Sequence, residues 1–408
     1  MKKQKAWLSM ANCLKTLLLI FIQTFVFAQE LETLWNSGFP AARIVNDTIE
    51  RGDAWVWSHA FQLKKGKTDS IIFAKLSQIE AGSPVVLSQL ARAERSLMRL
   101  GYFEKNGEAK LYRIQNRNRL VPAFDLMDAT ASFAEFSFYY DAQNKESNGH
   151  LMVQLLNIAG TARDFSLSGE NSKEYKSVEM SYKEPFIFSF SGSLKMRGTF
   201  SEEDSTKQRS AELAYMQKLD WEWQYSIGGG YKNDMAFSSL SLLYDNRDKL
   251  PLPFSGLFTE VSAEFSKFAA IGIRGENYQP IFGSWTLLLA SQGYGMLPPK
   301  EYKNAELFFI GGKNNFKAMQ PRALRTRAYG LSEADFQWHG FEKSVLHIFS
   351  QLGVYRNKFP FRGWERVLAY GLGLEQGSSN ASIAIYYALS QNTSPMDGLL
   401  NMSVKIGF

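Results

Sequence analysis

The residues best suited to moving a proton near neutral pH are four histidines, His59, His150, His339 and His347. None stands in a metal-binding pair such as His-Glu-x-x-His. Asp335 and His339 are four apart, so on a strand they share a face, next to Trp338. An Asp–His couple at a loop rim would suit a surface protease, but a histidine on a wet strand face explains the same spacing, and His339 is read that way. Gly371-x-Gly373-x-x-x-Gly377 has neither the spacing nor the strand-to-helix setting of a dinucleotide loop. The one cysteine is Cys13. With no later thiol, a disulfide framework, a Cys-ligated metal and a cysteine nucleophile are excluded from the rest of the chain. The expectation is no cofactor, no metal and no enzyme activity.

Residues 1–28 have the three parts of a secretory signal. Lys2, Lys3, Lys5 and Lys15 are basic, Leu17 to Phe27 form an apolar core, and Val26-Phe27-Ala28 is a cleavage-type end. That core is too short to span a bilayer as a helix, which needs ~20 apolar residues. The formal charge of +6 loses four lysines with this leader and becomes +2. Such a balance gives no footing for nucleic acid as a partner.

The rest of the chain changes character near residue 125. Before it, strand and helix patterns alternate. Trp55 to Leu63 reads as a strand, and Gly66-Lys67-Thr68-Asp69 as a turn capping a helix with Ile72, Leu76 and Ile79. Ser83-Pro84 reads as a helix start. The helix it opens puts Leu90, Ala93, Leu97 and Leu100 on one face and stops at Gly101. Tyr102-Phe103 and Lys110 to Ile114 are strand candidates. The spacing predicts a small α+β domain over 53–125, preceded by a partial unit over 29–52 in which Leu31 to Trp35 looks helical and Arg43 to Ile49 extended.

From 126 to 408 the pattern is strict alternation. Phe186, Phe188, Phe190, Leu194 and Met196 alternate with serines and cations, Trp221, Trp223, Tyr225 and Ile227 with Glu222, Gln224 and Ser226, and Met402, Val404, Ile406 and Phe408 with Asn401, Ser403 and Lys405. A sandwich also alternates. Here the apolar face is rich in aromatic residues and the opposite face carries charges, as lipid-facing and lumen-facing sides require. Backbone groups inside a bilayer must all be paired, so such a sheet has to close. The 278 residues from 131 to 408 allow about 16 strands, each needing ~9–11 residues to cross; fourteen to eighteen fit almost as well. The expected fold is mostly β, a transmembrane antiparallel barrel behind a small α+β domain.

Several short motifs, in order, resemble the BamA/TamA-type outer-membrane assembly barrels of the bacterial surface antigen superfamily. Gly66-Lys67-Thr68 and Leu97 to Phe103 resemble the POTRA module. Asn157 to Arg163 resembles the family's Asn-Leu-Phe-Gly-Thr-Gly-Arg, Tyr182 to Pro185 its Tyr-x-Glu-Pro, and Tyr244 to Asp248 with Pro253 and Gly256 its Tyr-Asp-Thr-Arg-Asp signature. Phe309-Ile310-Gly311-Gly312-x-Asn314 resembles the opening of its long inserted loop; Tyr370 to Leu374 and the terminal Phe408 complete the set. The resemblance makes 53–125 a POTRA-like periplasmic domain and 126–408 an outer-membrane barrel of a Gram-negative bacterium.

The resemblance implies a lumen-loop motif of Gly311, Gly312, Asn314, Lys317, Ala318 and Met319, with Gln351 and Gly353 on the strand it meets. In the family the loop tip is Val-Arg-Gly-Phe, and its arginine meets an aspartate in Phe-x-Asp-x-Gly. Here the tip reads Phe316-Lys317-Ala318-Met319 and the strand Phe349-Ser350-Gln351-Leu352-Gly353. A Lys–Gln pair has neither the guanidinium fork nor the opposite charge. The lock is therefore lost or rewired, with Arg322, Arg325 and Arg327 at hand. The resemblance also implies an incompletely zipped seam between the first strand, near Phe136, and the last, with Met402, Val404, Ile406 and Phe408. A client strand would pair there by augmentation. Its partners would be outer-membrane lipids, unfolded or partly folded clients, and periplasmic chaperones or accessory lipoproteins. A passive channel that kept the scaffold is the alternative.

Overall fold

The computed structural model describes residues 29–408 except 46–47, 65, 116, 130–131, 143–144, 173–174, 190, 204–205, 249, 251, 299–305, 313–314, 342–343, 357–362, 378–380 and 392. The expected leader with Cys13, and Asn314, lie outside the described residues. The chain forms two compact units. One takes in the chain up to Lys65 with Ser77–Glu94 and Lys105–Leu126; the other comprises Gly66–Leu76, Arg95–Glu104 and Met127–Phe408.

In the first unit, Arg119–Phe124 is the central strand. Val56–Trp57 and Phe61–Gln62 lie parallel along it, and Lys110–Arg113 runs antiparallel to it. Trp57, Val85, Ala93, Phe124 and Leu126 are fully buried. The Trp57 indole N–H donates to Gln89 at 2.7 Å, so the buried ring leaves no unpaired donor. In the segment Gly66–Leu76, which belongs to the second unit, Asp69 caps the helix Ser70–Ser77, accepting from the Ile71 and Ile72 amides at 2.8 and 3.3 Å. The second helix begins at Leu87 rather than at Ser83-Pro84. The Ser83 carbonyl and Val85 amide bond Trp57 and Trp55, so the sheet claims these residues before the helix starts. Arg43 to Ile49, expected as one extended piece, falls in two antiparallel strands, Arg43–Val45 and Thr48–Glu50.

The second unit is a closed barrel of sixteen antiparallel strands, from Phe133–Asp141 to Leu399–Gly407. Each strand pairs with its neighbours in the chain, and the last pairs with the first. Ser344–Arg356 illustrates why. His347, Phe349, Gln351, Gly353 and Tyr355 are buried on the inner side, while Leu346, Ile348 and Leu352 stand exposed on the outer side. An outward belt of exposed Leu, Ile, Val and Phe suits acyl chains and nothing aqueous. Trp223 with Tyr244 and Trp285 with Trp338 pair at the rim where both barrel termini lie, at 4.9 and 6.4 Å.

One expected strand face is a turn instead. Tyr175–Pro185 and Gly192–Glu203 are separate strands, and Phe186 and Phe188 between them have φ of 58° and 61°. A side chain on Gly192 would collide with the Ile187 carbonyl and the Tyr215 hydroxyl, so this turn closes only over glycine.

Segments 66–76 and 95–104 pack on the barrel's near rim through three of the motifs read from the sequence. Asn157 donates to Thr68 Oγ1 at 2.8 Å, and the Asp69 amide donates to the Gly160 carbonyl at 3.2 Å. The Tyr102 hydroxyl donates to the Asp164 carboxylate at 2.7 Å, which Lys183 also reaches at 3.0 Å. Burial, then the Asp164 charge, raises the Tyr102 hydroxyl well above the ordinary tyrosine range, so it remains a donor. Tyr102→Phe should remove a hydrogen bond to a charged acceptor worth about 1.5–3 kcal/mol. The expected result is faster proteolysis within 95–104 with an intact barrel; an unaltered digestion pattern would contradict this role.

Candidate functional site

Between the strands Trp285–Leu297 and Ala328–Phe341, the described residues 306–312 and 315–327 turn back into the lumen. Phe308–Ile310 and Leu324–Thr326 pair as a short hairpin. Gly311, at φ 124°, lies where a side chain would collide with the Gln320 carbonyl. The Gly312 amide donates to the Met319 carbonyl at 2.9 Å and the Met319 amide to Phe316 at 3.1 Å, which closes the tip. Phe316 is fully buried among Ile310, Tyr329, Leu331, Tyr355 and Ala369; Ala318 and Met319 pack against this group. A side chain on Gly353 would crowd Val367 and Leu331, and beyond them the Phe316 ring. Glycine at 353 thus makes room for Val367 and Leu331, beside the Phe316 ring.

Lys317 is held at three points. Its amide donates to Gln351 Oε1 at 2.8 Å, its ammonium pairs with Glu333, and its carbonyl accepts from Asn401 at 3.1 Å. Gln351 Nε2 in turn donates to Glu333 at 2.7 Å and to the Asn315 carbonyl at 3.0 Å. Glu333 lies directly opposite Gln351 in the strand register. The ion pair is therefore present, with its acid one strand over from the position the motif indicates. Gln351 serves the loop backbone rather than the ammonium, which also lies 4.8 Å from the Phe349 ring centre.

The arginines hold the opposite wall. Arg322 lies between the rings of Tyr175 and Phe309, at 3.6 and 4.1 Å, and Arg325 pairs with Glu203. Tyr175 and Glu203 are on the fourth and fifth strands, and Glu333 and Gln351 on the twelfth and thirteenth. Eight strands apart in a ring of sixteen is diametrically opposite, so the loop spans the lumen.

Asp335 does not serve His339. Its carboxylate takes the His347 ring at 2.8 Å and the Gln337 amide at 3.0 Å, all three buried. His339 is edge-on to the Phe254 ring at 5.2 Å. Arg247, from the Tyr244 to Asp248 motif, pairs with Asp245 at 2.9 Å and Glu276 at 2.8 Å, while Asp248 accepts from the Phe254 amide at 3.0 Å. That motif braces a turn. Among the described residues no group of three or more His, Cys, Asp or Glu is arranged to hold a metal.

The seam is fully zipped, unlike the expected partly open one. Every residue from Phe133 to Asp141 has a partner from Gly407 back to Leu399. A gap would leave backbone polar groups bare in hydrocarbon, which costs several kcal/mol each. Phe136 faces Val404, Phe138 faces Met402, and Ala134 faces Ile406; Phe136, Ile406 and Phe408 are exposed on the outer side. Ser137 with Ser403 and Glu135 with Lys405 face one another on the inner side.

These features define a sixteen-strand transmembrane barrel with an inserted lumen loop. No family model and no curated sequence matches the chain. Solved structures do. BamA from Haemophilus ducreyi lacking POTRA domains 1–3 is 14% identical, with 94% of this chain and 93% of that one aligned and a TM-score of 0.53. CdiB from Escherichia coli is 11% identical over 94% and 84% of the chains, TM-score 0.63, and CdiB from Acinetobacter baumannii 12% over 92% and 80%, TM-score 0.61. In fold, the chain is a BamA/TamA-type barrel.

Proposed function

We propose that this chain is exported by its N-terminal leader and resides in the outer membrane of a Gram-negative bacterium, with a POTRA-like periplasmic domain. There it assists insertion or translocation of unfolded clients by lending a strand edge at the seam, without enzymatic chemistry. One observation carries the choice of seam. It pairs the first barrel strand, Phe133–Asp141, with the last, Leu399–Gly407, whereas every other junction pairs barrel strands that follow one another along the chain. These two strands can part without pulling on a connection between them, which exposes backbone groups for a client strand. Outer-membrane lipids surround the belt; periplasmic chaperones or accessory lipoproteins would deliver clients.

The test is assembly of an unfolded outer-membrane barrel into liposomes containing the purified chain. The expected result is assembly several-fold faster than in protein-free liposomes. Equal rates, together with a large steady conductance in planar bilayers, would instead identify a passive channel.

A further inference from the structure

Two loop residues, Lys317 and Gln320, between them reach both sides of the seam. On the last strand, Asn401 donates to the Lys317 carbonyl at 3.1 Å. Three residues further along the loop, Gln320 accepts from Asn148 at 2.5 Å and donates to Asp141 at 3.2 Å. Asp141 ends the first strand, and Asn148 lies on the second. In the seam register Asp141 faces Leu399, two residues from Asn401. Asn401 and Asn148 are 2% and 7% exposed, so water does not readily replace the loop as their partner. The segment is itself fixed from the far side by Glu333 and Gln351.

We propose that Lys317–Gln320 is a clasp on the seam. The loop holds the last strand through one carbonyl and the first two strands through one amide side chain, so the strands cannot part without releasing it. Displacing the loop and opening the seam become one event. A client chain entering the lumen and competing for Gln320 or for the Lys317 carbonyl would thereby free the edge it then pairs with. This use of the clasp rests on the seam being the client site; the clasp itself does not.

Hydrogen exchange of the full chain in lipid nanodiscs tests it. Gln320→Ala, and separately Asn148→Ala, should speed exchange of seam amides in 133–141 and 399–407 by about tenfold, as loss of one or two hydrogen bonds warrants. Amides of 206–218 should keep their rates. Arg325→Ala, which removes the loop's ion pair with Glu203 on the opposite wall, should leave the seam rates unchanged. Unaltered seam exchange in both clasp variants, equal acceleration throughout the barrel, or equal acceleration by Arg325→Ala would each overturn the clasp. Client assembly is measured on the same samples. Faster seam exchange with unaltered assembly would leave the clasp standing and overturn the seam as the client site.

Discussion

Cysteines introduced at Phe136 and Val404 should form a disulfide that stops client assembly, and reductant should restore it. The two residues are register partners on the outer face of the seam. Antiparallel partners have Cα atoms about 4.5–5.5 Å apart, within the roughly 4.4–6.8 Å that a disulfide spans. Replacing Cys13 with serine removes the one native thiol, so any bond formed is the designed one. If the client enters by strand augmentation, a covalent seam denies it the edge, and assembly should fall to the rate of protein-free liposomes. The control is Leu240→Cys with Ala263→Cys, partners on the eighth and ninth strands. That bond should leave assembly unchanged. Full activity with a quantitatively formed seam bond would eliminate lateral opening as the route.

The barrel was legible because its signal is local and repeated. Strict alternation along Ser344–Arg356 or Leu399–Gly407 carries its own inside and outside. Phe186 and Phe188 continue the same alternation yet lie in the turn between two strands, since period two does not register their left-handed backbone. Arg119–Phe124, the central strand of the first unit, went unread because Pro122 lies within it; Pro122 faces Leu111, and a proline normally argues against a central strand. The loop tip was placed by motif, but its partners were not. Glu333 is contributed by a neighbouring strand, and only the register that sets it opposite Gln351 makes it visible. Asn401, Asn148 and Asp141 are further still, brought to residues 317–320 by closure of the ring. Asp335 shares a strand with His339 but bonds His347, twelve residues away, a pair that the spacing does not show. Pairing across strands, rather than spacing along one, decides that couple.

Glu333 is where the loop's hold on the lumen should fail first. The side chains of Lys317 and Glu333 are 11% and 14% exposed, so neither charge has much water to fall back on. Removing one partner of a nearly buried pair costs about 3–5 kcal/mol, because the other is left buried and uncompensated. The Phe349 and Tyr386 rings beside the ammonium, at 4.8 and 5.8 Å, offset about 0.5–2 kcal/mol of that. Glu333→Ala should therefore weaken the docked loop by roughly 1–4 kcal/mol, about fivefold to several hundredfold in its equilibrium. The expected readouts are a new conductance step in planar bilayers and tryptic cleavage after Arg322 or Arg325. Glu333→Gln keeps an acceptor for Gln351 while removing the charge, so it should fall between. Lys317→Met with Glu333→Met removes both charges and fills the space, and should recover most of the closed behaviour, because an apolar pair of similar volume often replaces a buried ion pair without loss. That recovery separates the ion pair from mere packing of Phe316. If Glu333→Ala stayed as closed and as protease-resistant as the parent, Phe316 beside Gly353 and the arginines on the opposite wall would be sufficient, and the ion pair would not be what holds the loop across the barrel.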